Sequence, residues 1–168
     1  KYIRNPYIRA AVGGVAVIAL TFIVGSKDYN GSGLHIIEGI FHGEEVSRLA
    51  FLLKIIFTAV TIGSGFKGGE IVPTFCIGAT FGCVIGGLLG LDAGLCGALG
   101  LVGLFCCATN SPLASIVLSI EMFGGANLHL FALICVICFV LSGQGGLYSS
   151  QMHIFRKNST NPLPKDSI

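Results

Sequence analysis

The segment with the most chemical content is GSGFKGGEIVPTF, residues 63–75. Gly63, Gly65, Gly68 and Gly69 free the backbone to turn sharply. Pro73 suits a first helical turn, where a missing N–H costs nothing. A helix therefore begins near residues 70–73. Its start leaves unpaired N–H groups and a partial positive charge, which form an anion site when buried beside a water-filled path. The candidate donors are the backbone N–H groups of Ile71, Val72 and Thr74. Glu70 stands at this start. It is either a carboxylate that complements the helix dipole or a group that exchanges a proton, and an acid inside a membrane is a functional candidate by default.

Two further side chains belong to the same argument. Tyr148 follows Gly145 and Gly146, a second glycine break. It is either an interfacial anchor or a phenol that donates one hydrogen bond to an anion without trapping it by charge. Lys54 sits in an apolar stretch 16 residues before Glu70. It is either a snorkelling side chain or a fixed positive charge that draws anions toward a pore mouth.

These residues need a scaffold, and composition says which kind. Of the 168 residues, 53% are hydrophobic and 11% charged, against about 25% charged in a soluble domain. Mean hydropathy is +0.85. Gly68 to Phe155 is an 88-residue block without Lys or Arg, holding only Glu70, Asp92 and Glu121 as acids. Glycine contributes 25 of 168 residues, about twice the usual ~7%, with no collagen period. These figures exclude a disordered chain, a secreted disulfide miniprotein and an ordinary soluble enzyme. A net charge of +2 is too small to suggest nucleic acid. An integral membrane protein with closely packed helices remains.

The expected elements are an apolar helix over 10–25, extended by Tyr7 and Ile8, a loop over 25–33, and a short amphipathic helix over 34–41. Apolar segments follow at 47–62, 72–91, 95–108, 112–120 and 128–141. Several are too short to cross a bilayer. Short helices broken by Gly and Pro survive in lipid only when buried in protein or lining a wet cavity, as in transporters. Gly78, Gly82, Gly86, Gly90 and Gly94 recur every four residues and form a packing stripe, followed by Gly97, Gly100 and Gly103 every three. The chain is expected to begin mid-protein, with a transmembrane region over 1–155 and a polar, cytoplasmic tail over 156–168 that carries Arg156, Lys157 and Lys165.

Other groups are assigned structural roles. The seven cysteines lie in apolar surroundings, and Cys135 and Cys138 are read as packing residues with redox chemistry as the alternative. Asp92 caps a helix. Glu121 is a structural acid. His35, His42, His129 and His153 lack ligand spacing, so neither metal nor cofactor is expected. GSGFKGG lacks the Lys-Ser/Thr of a phosphate loop.

GSGFKGGEIVP, NSPLASIVLSIEMFG and GLYSSQ, in this order and spacing, resemble the C-terminal half of the CLC chloride channel and transporter family. The resemblance implies an all-α membrane fold of inverted repeats with re-entrant broken helices, of which this chain is the second half only. Glu70 within GFKGGE is similar to the fluoride/proton antiporter branch. Glu70 would then contribute to the fluoride and proton pathway and Tyr148 to the central anion site. Val72 departs from the branch, which can carry a hydroxyl residue there. The implied partners are fluoride or chloride, protons, the lipid bilayer, the missing N-terminal half and a second subunit of a homodimer whose interface uses segments 112–120 and 128–141. The implied function is fluoride export coupled to proton import in a multi-pass cell-membrane protein that is not an enzyme. The alternatives are a passive chloride or fluoride channel of the same fold, and a non-transporting scaffold or redox protein.

Overall fold

The computed structural model describes residues 5–44 and 46–143. Among them are seven helices: α1 Pro6–Val24, α2 Leu34–Phe41, α3 Ala50–Gly63, α4 Ile71–Leu89, α5 Ala93–Thr109, α6 Pro112–Phe123 and α7 Leu128–Leu141. No strand occurs among the described residues. The all-α expectation holds. Tyr148, Gly145, Gly146 and the tail lie outside the described residues.

Local chemistry sets the boundaries. Asn5 Oδ1 accepts from the Tyr7 N–H at 3.1 Å and opens α1, and Gly25 closes it at φ 72°. Asp92 Oδ2 accepts from the Leu95 N–H at 3.1 Å, so the capping role read from the sequence is realised. Pro112 occupies the first turn of α6, where a missing N–H costs nothing. α1 and α4 have 19 residues each, about 28 Å of helix, and only these two are long and apolar enough to cross a membrane among the described residues. The 12 residues of α6 reach only about 18 Å, well short of the ~30 Å hydrocarbon core.

The centre is the α4–α5 hairpin. A Cβ on Gly78 would lie 2.5 Å from the Gly100 carbonyl oxygen. One on Gly82 would run into the Cys96 carbonyl oxygen, and one on Gly100 into that of Gly78. Peptide groups therefore meet directly across this interface. Gly86 completes the stripe against Cys96. The stripe is shorter than its spacing suggests: Gly90 is the left-handed cap of α4 at φ 68°, and Gly94 meets no more than the Asp92 carboxylate.

The three-residue glycine spacing on α5 serves a different purpose. A step of three falls about 60° short of a full turn, so successive glycines face different neighbours. Gly97 meets Ile40 of α2 and the Ala79 carbonyl of α4, while Gly103 meets Ile134 and Cys138 of α7. α5 is thus the central post. Around it Cys76, Ala79, Leu101, Val102, Cys106, Phe131 and Cys135 form the buried core with Ile37 and Ile40. A second cluster, Tyr29, Ala50 and Phe57, joins the 25–33 loop to α3. α1 is the outer helix, with Tyr7, Phe22 and Ile23 left exposed.

Replacing Gly82 with Ala should destabilise the fold by about 1–3 kcal/mol, the usual cost of overpacking. Gly87→Ala in the same helix, where nothing lies within 4 Å of an added Cβ, should be tolerated. Thermal unfolding of the detergent-solubilised protein checks the contrast, and equal midpoints for the two variants would contradict it.

Candidate functional site

The helix start predicted near Glu70 is present. α3 ends at Gly63 and Ser64, whose Oγ donates to the Val60 carbonyl at 2.6 Å. The chain then reverses at Gly65, with φ 87°. A Cβ there would also lie 2.7 Å from Arg9 Nη2, the mobile end of a long side chain, so it is the positive φ that calls for glycine. The other three break glycines differ from expectation. Gly63 is the last helical residue, and Gly68 and Gly69 have open space around them and no positive φ. The sharp turn is made at Gly65 alone, and 66–69 run on as irregular chain to α4.

Glu70 is the N-cap of α4, with φ −88° and ψ −19°. Its side chain makes no capping hydrogen bond, so the carboxylate does not close its own helix end. Its carbonyl accepts twice from Thr74, from the N–H at 3.2 Å and from Oγ1 at 2.7 Å. This corrects the donor set. The Thr74 N–H is committed within the helix. Pro73, the third helical residue and buried, has none. The N–H groups of Ile71 and Val72 have no backbone acceptor among the described residues. Glu70, Ile71 and Val72 are all half-buried.

A cavity of about 640 Å³ borders this helix start. Gly68, Gly69, Val72 and Pro73 line it from the α4 side, Thr58 and Thr61 from α3, and Tyr29 and Gly31 from the 25–33 loop. Glu70 and Ile71 are not in its wall. The structure therefore separates Val72 from Glu70, although they are two residues apart.

Lys54 is fully buried. Its Nζ donates to the carbonyls of Gly31 at 2.8 Å and Tyr29 at 3.1 Å. A snorkelling head would reach water, and this one does not. The loop folds back over it instead. No carboxylate pairs with Lys54 among the described residues. A Cβ on Gly33, at φ 79°, would lie 3.0 Å from Lys54 Nζ and 2.9 Å from Cys76 Sγ, so glycine at 33 admits the lysine head. Burial, and after it the charge of Asp28, push the Tyr29 phenol above its ordinary range. Tyr29 and Gly31 line the cavity beside α4 and also hold Lys54, a connection the sequence reading missed. Its sequence signal is a lysine in an apolar run together with a glycine-rich loop upstream of it.

Asn110 was also missed. It ends α5 in the left-handed region at φ 53°, and its Nδ2 donates to the Gly143 carbonyl at 3.4 Å, tying the ends of α5 and α7. Asn directly before Ser-Pro is the signal that could have found it. Glu121 is exposed. All seven cysteines are free thiols. No group of three or more metal-binding side chains occurs among the described residues.

Short apolar helices on a glycine-packed hairpin, with a broken helix start that carries a carboxylate, define a membrane protein built in the manner of ion transporters. The chain belongs to the CLC family: residues 1–143 match the family described as "Voltage gated chloride channel". A "Chloride/fluoride channel protein" of Pseudomonas syringae pv. tomato is 34% identical over 164 residues, covering 95% of this chain and 36% of the relative. An "H(+)/Cl(-) exchange transporter ClcA" of Vibrio vulnificus is 29% identical over 161 residues, covering 88% of this chain and 34% of that protein. The crystal structure of a CLC-type fluoride/proton antiporter superimposes with a TM-score of 0.82 at 34% identity, covering 86% of this chain and 37% of that chain. The chain spans about a third of the length of the relatives it matches.

Lys54→Met should leave the Tyr29 and Gly31 carbonyls without their donor and cost about 1–3 kcal/mol. The measurement is the thermal midpoint of the protein carrying this chain. An unchanged midpoint would show that the loop does not depend on Lys54.

Proposed function

We propose that this chain supplies the second half of a CLC-type secondary transporter that exports fluoride in exchange for protons. The observation that carries the reading is Glu70 at the start of α4, uncapped by its own side chain and next to two N–H groups without backbone acceptors. Such a start offers positive partial charge to an anion and a carboxylate to a proton within one turn. The antiporter structure that the chain resembles along 86% of its length supports the same reading.

Fluoride is small and strongly hydrated, so a selective path must replace its water with close donors. The N–H groups of Ile71 and Val72 serve that purpose, joined by the hydroxyl of Tyr148. They would serve chloride as well, and the choice of fluoride rests on Glu70. Lys54 adds a fixed positive potential from behind the loop that lines the cavity. The protein is a multi-pass component of the cell membrane and transports rather than catalyses. It works with the other half of its fold and as a homodimer. The exposed apolar side chains of α6 and α7, Leu113, Val117, Val136 and Val140 among them, suit that interface.

A passive channel of the same fold is the second reading. It is favoured by Val72, which puts an aliphatic side chain where the antiporter branch can carry a hydroxyl. Liposomes holding the complete protein distinguish the two. A proton gradient should drive fluoride uphill, and Glu70→Gln should abolish that coupling. Dissipation of a fluoride gradient without proton-driven accumulation would establish the channel. Unchanged coupling in Glu70→Gln would remove the carboxylate from the proton path.

A further inference from the structure

A second cavity, of about 780 Å³, opens where α4 turns into α5. Its wall is of two kinds. Val84 and Leu88 of α4, Leu95 of α5 and the buried ring of Phe131 make an apolar surface. Three charged side chains share the same cavity: Asp92 from the turn between the two helices, and Glu44 and Arg48 from the chain between α2 and α3. All three are exposed, and among the described residues no ion pair links them. Each acid has a fixed place. The Glu44 N–H donates to the Gly39 carbonyl at 2.9 Å, just past the end of α2. Asp92 is held by its cap bond to Leu95. The cavity also lies at a membrane surface. α4 is long and apolar enough to cross a bilayer, and no charged residue occurs between Glu70 and Asp92.

We propose that this cleft binds a phospholipid whose headgroup carries a primary amine. The Arg48 guanidinium takes the phosphate, for which its planar fork is suited. The carboxylates of Glu44 and Asp92 accept from the ammonium, which has three protons to donate. An acyl chain lies along Val84, Leu88 and Leu95. The charges choose this headgroup among lipids. One guanidinium faces two carboxylates, so a headgroup that is only anionic meets net repulsion. A trimethylated ammonium has no proton to give either acid. The volume agrees: about 780 Å³ falls within the ~300–1,000 Å³ of pockets that hold drug-sized molecules, far more than an ion fills. The two kinds of wall call for an amphiphile, and headgroups lie at the level where a membrane-crossing helix ends.

Native mass spectrometry of the complete protein in detergent tests this. The protein is titrated with phosphatidylethanolamine, phosphatidylglycerol and phosphatidylcholine, and with glycerophosphoethanolamine as a headgroup without chains. Phosphatidylethanolamine should be retained about twofold to fivefold better than the other two lipids, the range of one exposed charge pair, and the chainless headgroup should not displace it. Asp92→Asn keeps the helix cap, since Asn caps as well as Asp. Combined with Glu44→Gln it removes both acids, and the preference should then turn toward phosphatidylglycerol. Arg48→Gln should lower retention of both phosphatidylethanolamine and phosphatidylglycerol. Equal retention of the three lipids by the parent protein, or no retained lipid, would overturn the proposal. So would an unchanged preference in the variant lacking both acids. Displacement by glycerophosphoethanolamine would overturn it in favour of a soluble ligand. Where the paired variant does not elute as one species in gel filtration, Asp92→Asn alone carries the test, with a smaller shift in the same direction. The readout is bound lipid, independent of which ion the protein carries.

Discussion

The direct contact of peptide groups between α4 and α5 is the constraint on which the rest of the structure depends. In lipid there is no hydrophobic gain from bringing two apolar helices together, so association rests on packing. Dispersion falls off steeply with separation, and the closest approach is one without side chains between the backbones. Gly78 and Gly82 on one helix and Gly100 on the other provide it. Once α5 is seated there, its remaining glycines set its other neighbours, α2 at Gly97 and α7 at Gly103. The start of α4 is positioned by the same contact, since Glu70, Ile71 and Val72 lie only two turns ahead of Gly78 on a stiff helix.

A second device fixes what borders that start. Lys54 is a buried cation without a carboxylate partner among the described residues. Burying a charge costs several kcal/mol unless donors and acceptors match. Here two backbone carbonyls receive the ammonium protons, and the loop that provides them is thereby held against α3. The same loop forms a wall of the cavity at Gly68, Gly69 and Val72. The lysine head is placed behind the cavity wall, where it holds the wall without a side chain projecting into the space.

Boundaries set by local chemistry were legible in the sequence. Segments 34–41 and 128–141 are the helices observed, and α4 begins one residue before the segment read from apolar content. Asp92 announces its cap by position. Features that depend on distant residues were not legible. A four-residue glycine period predicts a face but not where the helix ends, so Gly90 and Gly94 were counted into a stripe they do not join. Four glycines before Glu70 predict a break but not which one turns, and of the four only Gly65 takes a positive φ. Lys54 reads as a snorkelling side chain because hydropathy carries no information about the loop that folds over it. Tyr148 falls outside the described residues, and its place at the site rests on the resemblance alone.

The departure at Val72 bears directly on how Glu70 would work. Thr74, one turn into the helix, is the nearest hydroxyl in the sequence that could compensate. Its Oγ1 donates to the Glu70 carbonyl at 2.7 Å, and a hydroxyl has a single proton to give. It therefore cannot also donate to the carboxylate. The helix start does not hold the carboxylate either, since the side chain makes no cap bond. Glu70 is left without a fixed donor from its own first turn.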